Sequence, residues 1–183
     1  MSKAVSPLKG VSHTGFATVA DAGLRGMITL RGDLASKKLA AALKGIGLSV
    51  PAARRVALTG DKGAAWMSPD ELLLLVPYAE AAATVSALSL ALAGEHALVV
   101  DVSDARAVFT ISGGKADQVI RKLSPADVDA LAEGEVRRSR VAQVAGAFWR
   151  SGPEDITLVT FRSVAGYVMG VLEMSARTGS ELR

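Results

Sequence analysis

Two stretches of this chain repeat one another at a separation of about 81 to 84 residues, and this self-similarity limits the fold more than any other feature. Gly32 and Gly113 each follow a short strand-like run, Gly26-Met27-Ile28-Thr29-Leu30-Arg31 and Arg106 to Ser112, and each precedes a helical pattern. Trp66-x2-Pro69-x-Glu71-Leu72 resembles Trp149-x3-Pro153-x-Asp155-Ile156 with one insertion, and a mostly apolar strand and a helix follow in both places. Matches in a shared order point to a duplicated strand–helix–strand–strand–helix unit. Plain alternation of this kind also arises in α+β chains without duplication. Either route gives the α+β class, and duplication predicts two packed α+β lobes. The divisions expected are an N-terminal arm over 1–25, a first lobe over 26–96 and a second over 97–183. Ala97 to Asp101 is read as the strand passing between the lobes.

Local patterns fill in the elements. Asp33 has the type and position of a helix N-cap, and Ala35, Leu39, Ala42, Leu43 and Ile46 follow at helical spacing until Gly45 and Gly47 end the run. Arg55 to Leu58 and Ala64 to Met67 read as weak strands. Asp70 to Val76 is almost pure Leu, which predicts a strand buried on both faces. Ala81, Val85, Leu88 and Leu92 predict a second helix closed by Gly94. Ala116, Val119, Ile120 and Leu123 predict a third, stopped by Ser124-Pro125. After a polar stretch over 126–138, strands are expected over about Ser139 to Trp149 and over Asp155 to Phe161. Ser163 is placed to cap a last helix striped by Val164, Val168, Val171 and Ser175.

Composition matters mostly for what it excludes. The 183 residues are 50% hydrophobic and 21% charged, enough to bury a core. The sequence pI near 9.4 suggests nucleic acid, but the net charge is only +3; with few groups titrating near neutrality, a small excess of Lys and Arg moves the pI far. No cysteine is present, which excludes disulfides, thiolate nucleophiles and cysteine-based metal sites. The run from Ala81 to Ala93 is broken by Thr84, Ser86 and Ser89, and Val164 to Leu172 is short, so neither reaches the ~20 residues of a membrane span. Met1 to Gly26 lacks the apolar stretch of a secretory signal, and a soluble cytoplasmic chain is expected.

Motifs for chemistry fail on inspection. Gly113-Gly114-Lys115 starts a helix after a strand, but Phe109 stands where a phosphate loop needs Gly and Ala116 where it needs a hydroxyl. Gly45-x-Gly47-x-x-Val50 lacks the third glycine of a dinucleotide site and ends a helix instead of opening one. Asp101 and Asp104 lie near a strand end, as an acid pair or as turn caps beside Ser103. His13 and His96 have no second ligand at metal spacing. No catalytic, cofactor or metal residue is assigned. Arg137, Arg138 and Arg140 form the one dense basic cluster, with strand geometry placing Arg138 and Arg140 together on one face. That face suits an anion, a partner's acidic patch, or solvent alone. The three are candidates for the polar rim of a partner interface, and a binding or assembly role is favoured over a free-standing enzyme.

Several segments together resemble the gamma subunit family of heterotetrameric sarcosine oxidase. They are Trp66-Met67-Ser68-Pro69-Asp70-Glu71-Leu72-Leu73-Leu74, Val100-Asp101-Val102-Ser103-Asp104-Ala105-Arg106, Ser112-Gly113, Arg140-Val141-Ala142-Gln143-Val144 before Phe148-Trp149, and Phe161-Arg162-Ser163-Val164-Ala165-x-Tyr167. The resemblance spans roughly residues 26 to 182. It implies a fold like the folate-binding region of glycine-cleavage T-proteins. It implies a non-catalytic structural or assembly subunit of a bacterial enzyme that demethylates sarcosine oxidatively to glycine and hydrogen peroxide, with methylenetetrahydrofolate formed from tetrahydrofolate. Alpha, beta and delta subunits are the implied partners, and FAD, FMN, NAD, tetrahydrofolate and zinc are implied on them, with none on this chain. A free-standing folate or one-carbon binding protein of the T-protein type is the alternative. The Lys-Gly-Cys-Tyr-x-Gly-Gln motif of a related folate-dependent family has no counterpart here.

Overall fold

The computed structural model describes residues 3–182. The chain begins with two short strands, β1 (Ser12–Thr14) and β2 (Thr18–Asp21). The first copy of the repeat follows as β3 (Gly26–Arg31), α1 (Lys37–Gly45), β4 (Val56–Thr59), β5 (Lys62–Ser68), β6 (Glu71–Val76) and α2 (Ala81–Ala91), and β7 (Leu98–Asp101) comes after it. The second copy is β8 (Arg106–Ser112), α3 (Ala116–Arg121), β9 (Val136–Val141), β10 (Val144–Gly152), β11 (Asp155–Phe161) and α4 (Ala165–Ala176). Each copy has three strands between its helices, one more than the unit written from the sequence. In the second copy the missing strand is hidden by a hairpin between β9 and β10 that turns through Ala142 and Gln143 alone. Ala142 takes φ 50°, the left-handed conformation usually marked by Gly or Asn, so no residue type announced the turn.

Residues 25–104 make one compact unit; the segment up to Leu24 and the segment from Ala105 onward make the other. The first unit's sheet runs β4-β5-β6-β3-β7 and the second's β9-β10-β11-β8-β2-β1. Every neighbouring pair of these strands is antiparallel. In each sheet one face packs against the unit's own helices. Ile28, Leu30, Leu72 and Leu74 meet Leu39, Leu43 and Leu88 in the first unit. In the second, Phe109, Ile111, Ile156 and Leu158 meet Val119, Ile120, Val168 and Leu172. A side chain of this size contributes roughly 1.5–3 kcal/mol when fully buried. β6 is buried along Leu72 to Val76, as its run of leucines required.

Hydrogen bonds repeat with the strands. Gly32 N donates to Asp70 O at 2.9 Å, and Gly113 N to Glu154 O at 3.0 Å. The register shifts between Trp66 and Ser68 on β5 and between Arg150 and Gly152 on β10, so the bulge is duplicated too. Trp66 pairs with Leu72 and Arg150 with Ile156, which makes Arg150, not Trp149, the counterpart of Trp66. The apparent match of the two tryptophans is one residue out of register, and one residue along a strand is the opposite face.

The strand ahead of each copy pairs in the other copy's sheet. β2 precedes β3 but pairs with β8, whereas β7 precedes β8 but pairs with β3. The turns after them match: Ala22 N donates to Val108 O at 2.9 Å and Val102 N to Met27 O at 2.8 Å. The sequence reading set 1–25 apart as an arm and began the second lobe at residue 97. In the structure β1 and β2 belong to the six-stranded sheet, and 98–101 are the edge of the five-stranded one. The N-terminal strands are too short to show a period, and they are held both by polar bonds to Asp21 and by Ala17 and Val19 in the core.

Two caps also differ from expectation. Ser36, not Asp33, caps α1, its hydroxyl accepting Leu39 N at 3.3 Å. Asp33 accepts Ala35 N at 2.9 Å in a turn one step earlier. Ser163 lies inside a 3-10 turn, Arg162–Val164, and α4 starts from Val164 with no side-chain cap.

Candidate functional site

The three arginines singled out in the sequence lie on β9, an edge strand. Arg138 and Arg140 are both exposed and stand opposite Ala147 and Ala145 of β10. Arg137 is on the other face, mostly buried, and ion-paired with Glu135. Glu135 also accepts Ala132 N at 3.2 Å, so Arg137 braces the loop before β9. Arg150 braces the same loop by donating to Leu131 O at 3.0 Å, and it also donates to Pro153 O at 3.2 Å in the turn after β10. The structure therefore brings Arg138 and Arg140 together and gives Arg137 a local job.

Two charged groups that sequence reasoning passed over anchor the chain's ends. Asp21 is 6% exposed. One oxygen accepts Ser6 Oγ at 2.6 Å, Gly10 N at 3.0 Å and Leu8 N at 3.2 Å, and the other accepts Gly23 N at 3.2 Å. Burial pushes this carboxyl up, but the Ser6 hydroxyl and the Gly10, Gly23 and Leu8 amides together outweigh it and hold the group below its ordinary value. Lys122 donates to Ser175 O near the end of α4 and to Ser180 O at 2.8 Å. Its ammonium lies 4.8 Å from the centre of the Phe16 ring, and burial lowers its pKa despite the nearby Glu181. A cation against the carbonyls closing a helix is favourably placed. Apart from Gly23, two residues after Asp21, the partners are distant in sequence, and only the fold could show them.

The remaining candidates resolve into turns and loops. Asp101 accepts the amide of Ser103 at 2.9 Å and its hydroxyl, while Asp104 accepts the hydroxyl of Tyr78 at 3.1 Å. Each acid thus has its own partner. Gly113 takes φ 120° in the turn before α3, and Gly47 takes φ 79° closing α1, which is turn chemistry in both. His13 lies on β1, and His96 lies in the loop before β7. Among the described residues, no cluster of three or more His, Asp or Glu could hold a metal, and no helix is long and apolar enough to cross a membrane.

Exposed apolar side chains are the other surface feature. Phe161 is 45% exposed, with the Arg106 guanidinium 4.3 Å above its ring. Tyr167 and Met174 on α4 are 43% and 58% exposed, and Leu90 on α2 is 80% exposed. The sequence reading used the apolar runs of α2 and α4 to predict helices and to exclude a membrane span.

A duplicated α+β chain with this strand order defines a fold class with a solved example. Glycine cleavage system aminomethyltransferase T from Bartonella henselae superimposes with a TM-score of 0.64 over 84% of this chain and 44% of that one, at 15% identity, a likeness of fold alone. The family model described as sarcosine oxidase, gamma subunit family, matches residues 31–177, and the chain belongs to that family. Sarcosine oxidase subunit gamma from Arthrobacter sp is 33% identical over 131 residues, 70% of this chain; the match spans 63% of that relative's length. A chain of heterotetrameric sarcosine oxidase from Corynebacterium sp. U-96, solved in complex with pyrrole 2-carboxylate, is 25% identical with a TM-score of 0.81, covering 90% of this chain and 87% of that one.

Proposed function

We propose that this chain is a non-catalytic assembly subunit of a cytoplasmic heterotetrameric sarcosine oxidase. The observation that carries this reading is its likeness, along 90% of its length, to a chain of such an enzyme. The partners in this reading are alpha, beta and delta subunits. They carry FAD, FMN, NAD, tetrahydrofolate and zinc and perform the oxidative demethylation of sarcosine to glycine, with hydrogen peroxide and methylenetetrahydrofolate as products. This chain supplies surface. Arg138 and Arg140 stand at the rim of the contact, where arginine is common and where charges chiefly set the association rate and its salt dependence.

The test is co-expression of the four chains with and without this one. Loss of the flavin-bearing complex, or of its thermal stability, is the expected result of omission. Complexes formed without this chain that turn over sarcosine fully and melt at the same temperature would remove the assembly role. In the same system, Arg138→Glu with Arg140→Glu should weaken co-purification, more at low salt than at high, while this chain stays folded. Unchanged assembly at both salt levels would move the rim elsewhere.

A further inference from the structure

The two sheets agree at one edge and differ at the other. β4 and β9, equivalent strands of the two copies, are both outermost. At the opposite edge β2 is flanked by β1, whereas its counterpart β7 has no strand beyond it among the described residues. The counterparts also share a sequence. Ala17-x-Val19-x-Asp21, which ends β2, returns as Ala97-x-Val99-x-Asp101, which ends β7.

Val102 N bonds Met27 O, so alternation along the antiparallel ladder turns Val100 and Leu98 toward β3 and turns the backbone of Asp101 and Val99 outward. The same parity in the other sheet turns Asp21 and Val19 toward β1, where they are used. Asp21 N donates to Val11 O at 2.9 Å, and Val19 pairs with His13. The Asp21 carboxylate then holds the residues before β1 through Ser6, Leu8 and Gly10. On β7 the matching amides of Val99 and Asp101 have no partner among the described residues. Asp101 spends only Oδ1, on Ser103, and its other oxygen is open. Leu98 and Val100 are 52% and 39% exposed, where β2 has Thr18 and Ala20. Edges are commonly protected from strand addition by Lys, Pro or a bulge, and β7 has none of these.

A second copy fits this edge poorly. β7 paired with itself about Val99 sets Asp101 opposite Ala97, two residues from Glu95, and so brings like charges together. A copy's β1 is already paired with its own β2.

We propose that β7 receives an extended segment of a partner oxidase subunit as an added antiparallel strand, in the place that β1 takes beside β2. Its middle residue exchanges both backbone bonds with Val99, and apolar side chains on either side of that residue cover Leu98 and Val100. Amide or hydroxyl donors preceding the strand reach the open oxygen of Asp101. Such an addition draws affinity from main-chain bonds and specificity from alternate side chains.

The proposal rests on the assembly reading above, and its test separates the two. Amide hydrogen exchange is compared residue by residue between the free full chain and the assembled oxidase. Val99 and Asp101 should exchange roughly tenfold or more slowly on assembly, while Leu98 and Val100, bonded to β3, are protected in both states. Val99→Pro removes an outward N–H that β3 does not use, a position where an edge strand tolerates proline. Leu98→Lys places a charge at an exposed edge position. Each variant should keep the wild-type circular dichroism and bind the remaining co-expressed subunits about tenfold more weakly or worse. Unchanged exchange at Val99 and Asp101, or unchanged binding by both variants, overturns the strand site and leaves the assembly reading standing. No binding by wild type overturns both. A wild-type chain that dimerises and protects the same two amides with no other subunit present gives the edge to a second copy and overturns the proposal.

Discussion

Asp21 shows how one carboxylate can organise a segment with almost no hydrophobic signal. It gathers a hydroxyl and three amides over residues 6–23. Asp21→Asn keeps the shape but loses the charge and turns a donor toward donors, and should cost about 1–3 kcal/mol. The pH dependence has a definite sign. Because the folded carboxyl lies below its ordinary value of 3.8, the stabilisation is present above that value and is lost as pH falls through the folded one. Denaturant titrations of wild type and Asp21→Asn should show a gap near neutral pH that closes as the pH drops below about 4. A gap unchanged down to pH ~3 would mean that the charge is not what the amides hold. Only the turn to Gly23 is local; the Ser6, Leu8 and Gly10 partners of Asp21 leave no local mark. Asp101 was noticed only because Asp104 lies near it, yet the two aspartates play the same part: each accepts the amide two residues on, in matching turns after β2 and β7.

At the scale of elements, the helices were legible wherever apolar spacing and a closing glycine coincided. α1 illustrates the limit. Its buried stripe was plain, but two oxygen-bearing residues three apart competed for its start. Ser36 takes the cap because its hydroxyl meets Leu39 N, while Asp33 is spent on Ala35. Ser36→Ala should therefore cost about 0.5–2 kcal/mol, and Asp33→Ala clearly less, in thermal or urea unfolding. The reverse order would return the helix start to Asp33. The β9–β10 hairpin was less legible, because Ala142 adopts a left-handed backbone without the residue type that signals one. At the candidate site, Arg138 and Arg140 fell on one face by strand alternation alone, whereas the pairing of Arg137 with Glu135 needed the loop's actual path.

For the whole molecule, duplication was the readable fact, and the exchange of leading strands was not. Sheet order depends on which edges meet, and no local pattern encodes that. Because Ala17 and Val19 are 3% and 0% exposed in the second unit's core, the N-terminal segment is structural there. Deleting residues 1–24 should lower the thermal midpoint further than Asp21→Asn does, and should promote aggregation by uncovering β8 as a bare edge. Equal midpoints for the two variants, with no aggregation, would mean that β1 and β2 contribute nothing beyond the Asp21 bonds.

The crossed pairing of β2 also has a consequence for synthesis. β2 is made early, yet its partner β8 lies some ninety residues downstream, as Val19 opposite Ile111 shows. At roughly 5–20 residues per second, the ribosome needs on the order of 5–20 seconds to supply that partner. Counted from the emergence of β2 to the emergence of β8, the whole unit from 25 to 104 leaves the ribosome during this wait. β2 must stay unpaired beside a growing five-stranded sheet whose own edge, β3, is reserved for β7. Its weak, four-residue apolar signal then becomes useful: a strand with little affinity for the wrong edge can wait for the right one.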